Sequence, residues 1–279
     1  MFKIIKKKLI AENTYSLEIE APDIAINAKP GQFVMVMPNE TGERIPLTIA
    51  DSGENIITLI FIIAGKSTAK LAEFNEGDFI PHVAGPLGKP SVLHDENLIC
   101  LIGGGVGIAA IYPIAKYYAE KGKKVHCILG VKSKKYLFWQ DKFEKFSDKV
   151  IIASDDGSIG FKGNVVEALK NEIDVNDCKY GLVVAIGPTI MMKFVSLYTK
   201  EINLKTIVSL NTLMVDGMGM CGGCRIRYQD KIKFVCVDGP EFDAHKINFD
   251  EILARNATYK AEENHACNLN DKLQFKKQV

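Results

Sequence analysis

Three cysteines in one glycine-rich stretch have the types and spacing for metal chemistry. Cys221 and Cys224 stand two residues apart in "DGMGMCGGC", and Cys236 ends the run "KIKFVC". A Cys-x-x-Cys turn aims two sulfurs at one metal centre, and Cys236, at the end of a predicted strand, supplies a third ligand. Structural zinc usually takes its fourth ligand from a second paired knuckle, which this chain lacks. The pattern therefore favours a 2Fe–2S cluster over zinc or idle thiols.

The fourth ligand must come from elsewhere in the chain. The plant-type 2Fe–2S pattern has a first ligand separated by four residues from the Cys-x-x-Cys pair, and here that position is Asp216. A carboxylate can replace a thiolate, and the four glycines of "DGMGMCGGC" let backbone N–H groups turn toward cluster sulfides. The alternatives are His245, His265 and Cys267. The remaining cysteines lie in or beside apolar strands and are expected in the core: Cys100, Cys127 and Cys178.

A glycine turn forms a second candidate site. "GGGVG" stands between an apolar strand and a helical pattern, where glycine lets the backbone approach a pyrophosphate and the helix N-terminus offers free N–H groups. The alternative is a tight turn packed for its own sake. No acidic residue follows the next strand, where a partner for the ribose 2′-hydroxyl would be expected. That position carries Lys132, Lys134 and Lys135. These lysines favour a nucleotide with a 2′-phosphate, and the alternative is that they are only solvated surface residues.

Two segments nearer the N-terminus, "ERIPLTIAD" and "IIAGKSTAKL", combine basic, hydroxyl and glycine residues at strand ends. Such groups can hold a diphosphate and an aromatic ring system. The alternative is an ordinary hairpin followed by a helix, with Ser67 and Thr68 as N-caps.

Composition limits the possible classes of protein. The chain has 279 residues, 47% of them hydrophobic, and a formal net charge of +1. This balance argues against nucleic-acid partners, and no apolar run is long enough to cross a membrane. The N-terminus lacks a secretory signal, so we expect a cytoplasmic protein whose seven cysteines are thiols or metal ligands.

The elements that must position these sites follow three patterns. Short alternating runs separated by turn residues predict an antiparallel β-barrel over residues 1–95. Apolar strands alternating with helices predict a doubly wound parallel α/β domain over 96–210. The cysteine segment is expected to form a small module over 211–260, followed by a polar tail over 261–279.

The order of these parts carries a family resemblance. "RIPLT", "GKST", "GGGVGIAAIYPIA", "SDDGS" and "AIGPTIMMK", followed by the cysteine loop, resemble the ferredoxin–NADP reductase superfamily. Within it, the chain is similar to the electron-transfer subunit of dihydroorotate dehydrogenase. It is also similar to that subunit's sister family, the small (alpha) subunit of NADH-dependent reduced ferredoxin:NADP oxidoreductase, also called the sulfide dehydrogenase beta subunit. Asp216, which stands where the dihydroorotate family has its first cysteine, and "CVDGPEFD" favour the sister family. Arg44 stands four residues before Thr48, whereas the superfamily commonly reads arginine, any residue, aromatic, hydroxyl.

The resemblance implies cofactors and their sites. FAD in the barrel would be bound by Arg44, Pro46, Leu47, Thr48, Ile60, Phe61, Ile62, Gly65, Lys66, Ser67 and Thr68. NAD(H) or NADP(H) would be bound by Gly103, Gly104, Gly105, Val106, Gly107, Asp155, Asp156, Gly157, Gly187 and Pro188. The cluster ligands would be Asp216, Cys221, Cys224 and Cys236.

The implied activity is electron transfer. Hydride passes directly between nicotinamide and flavin, so no catalytic side chain is expected, and the resemblance favours NADH over NADPH. The implied partner is a larger flavin and iron–sulfur subunit, in a heterodimer or higher assembly that reaches ferredoxin and bifurcates electrons. The alternatives are the electron-transfer subunit of dihydroorotate dehydrogenase, a self-sufficient ferredoxin reductase, and a nucleotide-sensing module with structural zinc.

Overall fold

A computed structural model describes residues 1–259 of the chain. The predicted polar tail, with His265 and Cys267, lies outside the described residues.

The N-terminal third of the chain forms one seven-stranded antiparallel sheet in the order β6-β1-β2-β5-β4-β3-β7. Its two edge strands, β6 and β7, are consecutive in the chain and only Pro81 separates them, so the sheet nearly closes into a barrel. Two helices, α1 and α2, accompany it. The elements are β1 Phe2–Ala11, β2 Thr14–Glu20, α1 Pro22–Asn27, β3 Phe33–Met37, β4 Ile45–Ser52, β5 Ile56–Ile62, α2 Lys66–Glu73, β6 Phe79–Ile80 and β7 His82–Leu87.

The second sheet is parallel over six of its seven strands, in the order β11-β10-β9-β8-β12-β13-β16. Its central strands are continuous apolar runs because helices cover both faces. The elements are β8 Leu98–Gly104, α3 Gly107–Glu120, β9 Lys124–Val131, α4 Gln140–Phe143, β10 Lys149–Ser154, β11 Phe161–Lys162, α5 Val165–Lys170, β12 Leu182–Ile186, α6 Thr189–Glu201 and β13 Thr206–Ser209.

The cysteine segment forms a hairpin and short helices. Its elements are β14 Arg225–Tyr228, β15 Lys231–Phe234, α7 Val235–Asp238, β16 Glu241–Asp243 and α8 Phe249–Asn256. Cys236, expected at a strand end, lies in the short helix α7 just beyond β15. The division predicted at residue 210 stays a prediction. Across this boundary, β16 pairs antiparallel with β13 and so joins the neighbouring sheet.

The strand order reverses direction between β8 and β12. Ligands of doubly wound sheets bind in the crevice that such a switch point opens at the carboxyl ends of the strands. Helix α3 begins at this crevice and packs on both β8 and the barrel strand β4. The core of this junction includes Ala50, Ile60 and Ile108. The fold thus brings one edge of the barrel to the predicted nucleotide turn.

Two of the cysteines expected in the core, Cys100 and Cys127, are fully buried in β8 and β9. Cys178 is only half-buried and lies in the connection before β12 rather than in a strand; its thiol lies 3.6 Å from a carboxylate oxygen of Glu172. Across residues 1–259, no helix has the length and apolar character needed to cross a membrane.

Candidate functional site

The cysteine loop brings two buried thiols into contact. The Sγ atoms of Cys224 and Cys236 lie 3.2 Å apart, and the Cys236 amide donates to Cys224 Sγ at 3.5 Å. Burial foremost, and then the adjacent Cys224 thiol, raise the pKa of Cys236 to about 12. Two unbridged sulfurs at this separation can share one tetrahedral metal ion, and binding a metal cation would favour their thiolate form.

Asp216 is tied to the same loop by its backbone. Its carboxylate accepts hydrogen bonds from the amides of Met218 at 2.8 Å, Met220 at 3.2 Å and Cys221 at 2.8 Å. These bonds, that from Met218 foremost, hold the pKa of Asp216 below its ordinary value. The carboxylate is therefore ionised and beside Cys221, as a metal ligand must be.

The candidate ligands form two pairs, Asp216 with Cys221 and Cys224 with Cys236. Cys221 is exposed, and its Sγ accepts the Gly223 amide at 3.4 Å. Two pairs, one at the surface and one buried, fit a centre with two irons better than a single zinc ion. His245 does not join them, because its Nε2 lies 3.0 Å from the Thr199 hydroxyl on α6.

The cysteine loop also packs against the barrel. Gly217 has φ +76°, and a Cβ there would lie 2.6 Å from Met35 Cγ on β3. Within the sheet, Met35 is registered with Pro46 and Phe33 with Thr48 of the neighbouring strand β4. The loop therefore packs on the strand next to β4, and neighbouring strands of a sheet lie about 4.8 Å apart.

The glycine turn has one position open to solvent. Gly105 has φ +55° and donates its amide to Gly130 O at 2.8 Å, and a Cβ built there would meet no protein atom within 4 Å. By contrast, a Cβ at Gly107 would lie 2.1 Å from Ile186 O. Gly107 therefore serves close packing of α3, whereas the space above Gly105 remains for a ligand. The other residues of the turn, Gly103, Gly104 and Val106, end β8 and begin α3.

The other predicted nucleotide residues lie at the same edge of the sheet. Asp155, Asp156 and Gly157 follow β10, and Gly187 and Pro188 follow β12. The carboxyl ends of these parallel strands meet at the crevice beside the glycine turn, and a Cβ on Gly187 would lie 3.0 Å from Gly104 O.

One of the lysines after β9 already has a carboxylate partner at the surface. Lys135 Nζ lies 3.4 Å from Glu12 of the barrel, and the Lys134 amide donates to Ser158 at 2.8 Å. An ammonium already paired with a carboxylate is a weaker candidate for a ribose phosphate.

The predicted flavin residues divide by exposure. Pro46, Leu47 and Thr48 are partly exposed on β4, and Arg44 is exposed just before it. Ile60 and Phe61 are buried in protein contacts, which leaves Ile62 as the partly exposed member of the β5 group.

The glycine–lysine–hydroxyl segment, Gly65 to Thr68, begins α2. Gly65 is the N-cap, in place of the expected Ser67 or Thr68. Thr68 Oγ1 instead accepts the amides of Ala64 at 2.9 Å and Gly65 at 3.1 Å. Lys66 is exposed in the first turn, and a Cβ at Gly65 would meet no atom within 4 Å, so the start of α2 is accessible.

Sequence reasoning missed the residues that join the modules. Ser91 Oγ donates to Glu241 Oε1 at the junction of barrel and β16, and a Cβ on Gly31 would lie 3.1 Å from that oxygen. Burial raises the pKa of Glu241 to about 7, with the Ser91 hydrogen bond acting in the opposite direction. Phe33 and Met35 were missed too, because "GQFVMVM" shows only a buried strand and not what its side chains face.

A nearly closed antiparallel barrel, a parallel sheet with a glycine turn and a cysteine module define a flavin-dependent oxidoreductase of the ferredoxin-reductase type. The model for the iron–sulfur cluster binding domain of dihydroorotate dehydrogenase B matches residues 211–248. The Thermotoga maritima homolog of the dihydroorotate dehydrogenase B (NAD(+)) electron transfer subunit is 44% identical over 263 residues, which cover 94% of this chain and 92% of that protein. The electron transfer subunit of Desulforamulus reducens is 33% identical over 255 residues, which cover 88% of this chain and 96% of that one.

The chain belongs to the family of dihydroorotate dehydrogenase B electron-transfer subunits. It is also similar to a solved structure from an NADH-dependent reduced ferredoxin–NADP oxidoreductase, described for flavin-based electron bifurcation. The two are 43% identical, cover 95% of this chain and 96% of that one, and superpose with a TM-score of 0.90. The predicted fold class, oxidoreductase function and cofactor set of FAD, NAD(P) and an iron–sulfur cluster are confirmed at the level of the family.

Proposed function

We propose that the chain carries electrons between a nicotinamide nucleotide at the glycine turn, FAD on β4 and a 2Fe–2S cluster held by Asp216, Cys221, Cys224 and Cys236. Nicotinamides exchange two electrons as hydride, an iron–sulfur cluster takes one at a time, and a flavin can do both. The protein is then a two-to-one electron converter.

The observation that carries this proposal is the closeness of β4 to the other two sites. Helix α3, which starts at the glycine turn, packs on β4. The cysteine loop packs on β3, the strand that pairs with β4. A flavin along β4 would thus lie near both a hydride donor and a one-electron acceptor.

The chain's own residues have distinct roles in this scheme. The open space at Gly105 admits a pyrophosphate, and the end of β12 at Gly187 borders the nicotinamide entry. Pro46 to Thr48 present partly exposed side chains and backbone to the flavin ring and ribityl chain, and the start of α2 at Gly65 faces the diphosphate. The protein binds and orients both cofactors. Because hydride passes directly between nicotinamide and flavin, the transfer needs no acid or base from the protein.

A larger partner subunit is part of the proposal. Four exposed apolar side chains surround the cysteine loop: Val215 at 51% exposure, Met218 at 58%, Met220 at 84% and Val237 at 40%. Apolar side chains clustered around an exposed ligand, Cys221, are typical of a protein interface. A partner with its own flavin and clusters, bound here, would exchange electrons with the exposed end of the centre.

Asp216 supports the ferredoxin:NADP oxidoreductase branch, including electron bifurcation, over the dihydroorotate branch. An oxygen ligand donates less electron density to iron than a thiolate does, so it should favour the reduced cluster and place its potential above the roughly −400 mV of plant-type ferredoxins. Such a centre suits the higher-potential path of a split electron pair. We further propose NADH as the nucleotide and the cytoplasm as the location, consistent with free thiols in the fold.

The test is to substitute Asp216 and then to monitor the cluster. Its iron content is measured, and its potential is determined by potentiometry with electron paramagnetic resonance. If Asp216 is a ligand, Asp216→Cys keeps two irons and lowers the potential, whereas Asp216→Ala makes the cluster labile. If Asp216 only caps its turn, Asp216→Cys loses the three amide bonds and shows no shift in potential. Cys127→Ser, a buried thiol outside the loop, is the control and should keep both iron and potential. Stoichiometric zinc with no flavin absorbance would overturn the electron-transfer proposal altogether.

A further inference from the structure

A cavity of about 320 Å³ lies between the cysteine loop and α8. Its walls include Thr212, Gly223, Arg225, Arg255 and Asn256. The volume is at the lower end of the range for small-ligand pockets. It shares no residue with the glycine turn or with the flavin strand, so the proposed nucleotide and FAD do not account for it, and it borders the cysteine loop only through Gly223.

Thr212, one of the residues that line the cavity, carries a buried polar atom that lacks a partner. Thr212 is only 8% exposed, and its buried Oγ1 has no hydrogen-bond partner within residues 1–259. Buried hydroxyls in native proteins are nearly always bonded, and one that is not points to a missing ligand or ordered water.

Two guanidinium groups supply positive charge to the same cavity. Arg255 donates to the Gly223 carbonyl at 2.9 Å, and Arg225 donates to the Gly222 carbonyl at 3.2 Å. Each guanidinium has five N–H donors, so most remain for a ligand. Among the described residues that line the cavity there is no aspartate or glutamate, and the apolar side chains of Leu213 and Ile252 complete the wall.

We propose that this cavity binds a small oxyanion, a phosphate or carboxylate group attached to a short apolar body. The anion would accept from Arg225, Arg255 and the Thr212 hydroxyl, while Leu213 and Ile252 contact its apolar part. The same two arginines hold both glycine carbonyls of the Cys-Gly-Gly-Cys turn. An anion bound to them therefore adds negative charge beside the turn, which lowers the potential of the cluster; this second step rests on the proposed function.

The binding test uses full-length protein loaded with FAD and cluster, at saturating NAD⁺ so that the nucleotide site is filled. Phenyl phosphate and benzoate, which share a ring and differ in the anion, are titrated by calorimetry. We expect one site per chain. Arg225→Gln or Arg255→Gln should weaken binding about tenfold, as loss of a charged hydrogen bond does, and Thr212→Val about threefold.

Arg227→Gln is the matched control for the arginine variants. Arg227 lies two residues from Arg225 on β14, pairs with Glu251 at 3.4 Å and does not line the cavity. The affinity of the Arg227→Gln variant for phenyl phosphate should stay within about twofold of the parent's affinity. Absence of one-to-one binding, or an equal loss in Arg227→Gln, would overturn the proposal. So would binding seen only after Glu262→Gln and Glu263→Gln, since the chain's own carboxylates would then be the occupants.

The coupling test compares the cluster potential with and without phenyl phosphate. The parent should show a lower potential with the ligand, and Arg255→Gln a smaller shift. One-to-one binding without a shift in potential would refute the coupling. If the purified protein holds no iron but still binds phenyl phosphate, the result would contradict the proposed cluster and support the anion site.

Discussion

Glu241 makes the stability of this protein depend on pH in a direction opposite to that of most carboxylates. Its ordinary pKa of 4.5 is raised by burial to about 7 in the folded chain, where Ser91 is its hydrogen-bond donor. The folded state therefore holds a proton that the unfolded state releases. Stability from this group is fully present below about pH 4.5, falls as pH rises toward 7 and is lost above that.

The magnitude follows from the two pKa values. A difference of about 2.5 at 1.36 kcal/mol for each unit gives at most about 3 kcal/mol of destabilisation in alkaline solution. Glu241→Gln removes this term because the amide is neutral at every pH and its oxygen can still accept from Ser91. Between about pH 5.5 and 8.5 the advantage of the variant over the parent should grow by about 2 kcal/mol.

The assay is thermal unfolding followed by circular dichroism across that pH range. A change of about 2 kcal/mol corresponds to a shift of roughly 5 °C in Tm for a chain of this size. Glu20→Gln, at an exposed strand end, is the control and should follow the pH profile of the parent. If the difference between Glu241→Gln and the parent is the same at both ends of the range, the carboxylate is not protonated by burial and the reasoning fails.

The remaining predictions concern the cofactor sites. Gly105→Val should raise the KM for the nucleotide while FAD stays bound, because its side chain fills the one open position of the turn; an unchanged KM in steady-state diaphorase assays would contradict this. Gly107→Ala should instead lower stability by more than about 2 kcal/mol, since its Cβ meets a backbone oxygen at 2.1 Å; unfolding at the parent's midpoint would contradict it. Thr48→Val should reduce FAD content or slow flavin reduction, and a variant with both unchanged would remove Thr48 from the site. In rapid mixing, NADH should reduce the flavin faster than NADPH, and the reverse order would show that the lysines after β9 select the nucleotide.

Local patterns were enough to predict the parts of this molecule whose structure is decided over short distances. The run "LICLIGG" followed by a helical pattern predicted β8, the glycine turn and α3, because a buried strand, a tight turn and a helix start each leave a signature within a few residues. The Cys-x-x-Cys spacing likewise pointed to residues 211–248, the segment that matches an iron–sulfur cluster binding domain.

Contacts between distant segments could not be read in this way. In β5, three consecutive residues are buried, since Leu59 and Phe61 face the barrel core while Ile60 packs with α3. A strand buried on both faces shows no alternation, so sequence could not separate side chains that face a ligand from those that pack in the core.

The pairing of β16 with β13 has a consequence for synthesis of the chain. Ribosomes release the chain from its N-terminus, so β13 emerges about thirty residues before Glu241–Asp243 can cover its free edge. During that interval the sheet presents unpaired backbone N–H and C=O groups that can recruit a strand from another nascent chain. The parallel sheet is thus completed only after the cysteine segment has been made, and a fragment that stops before residue 241 would keep an unpaired edge strand open to aggregation.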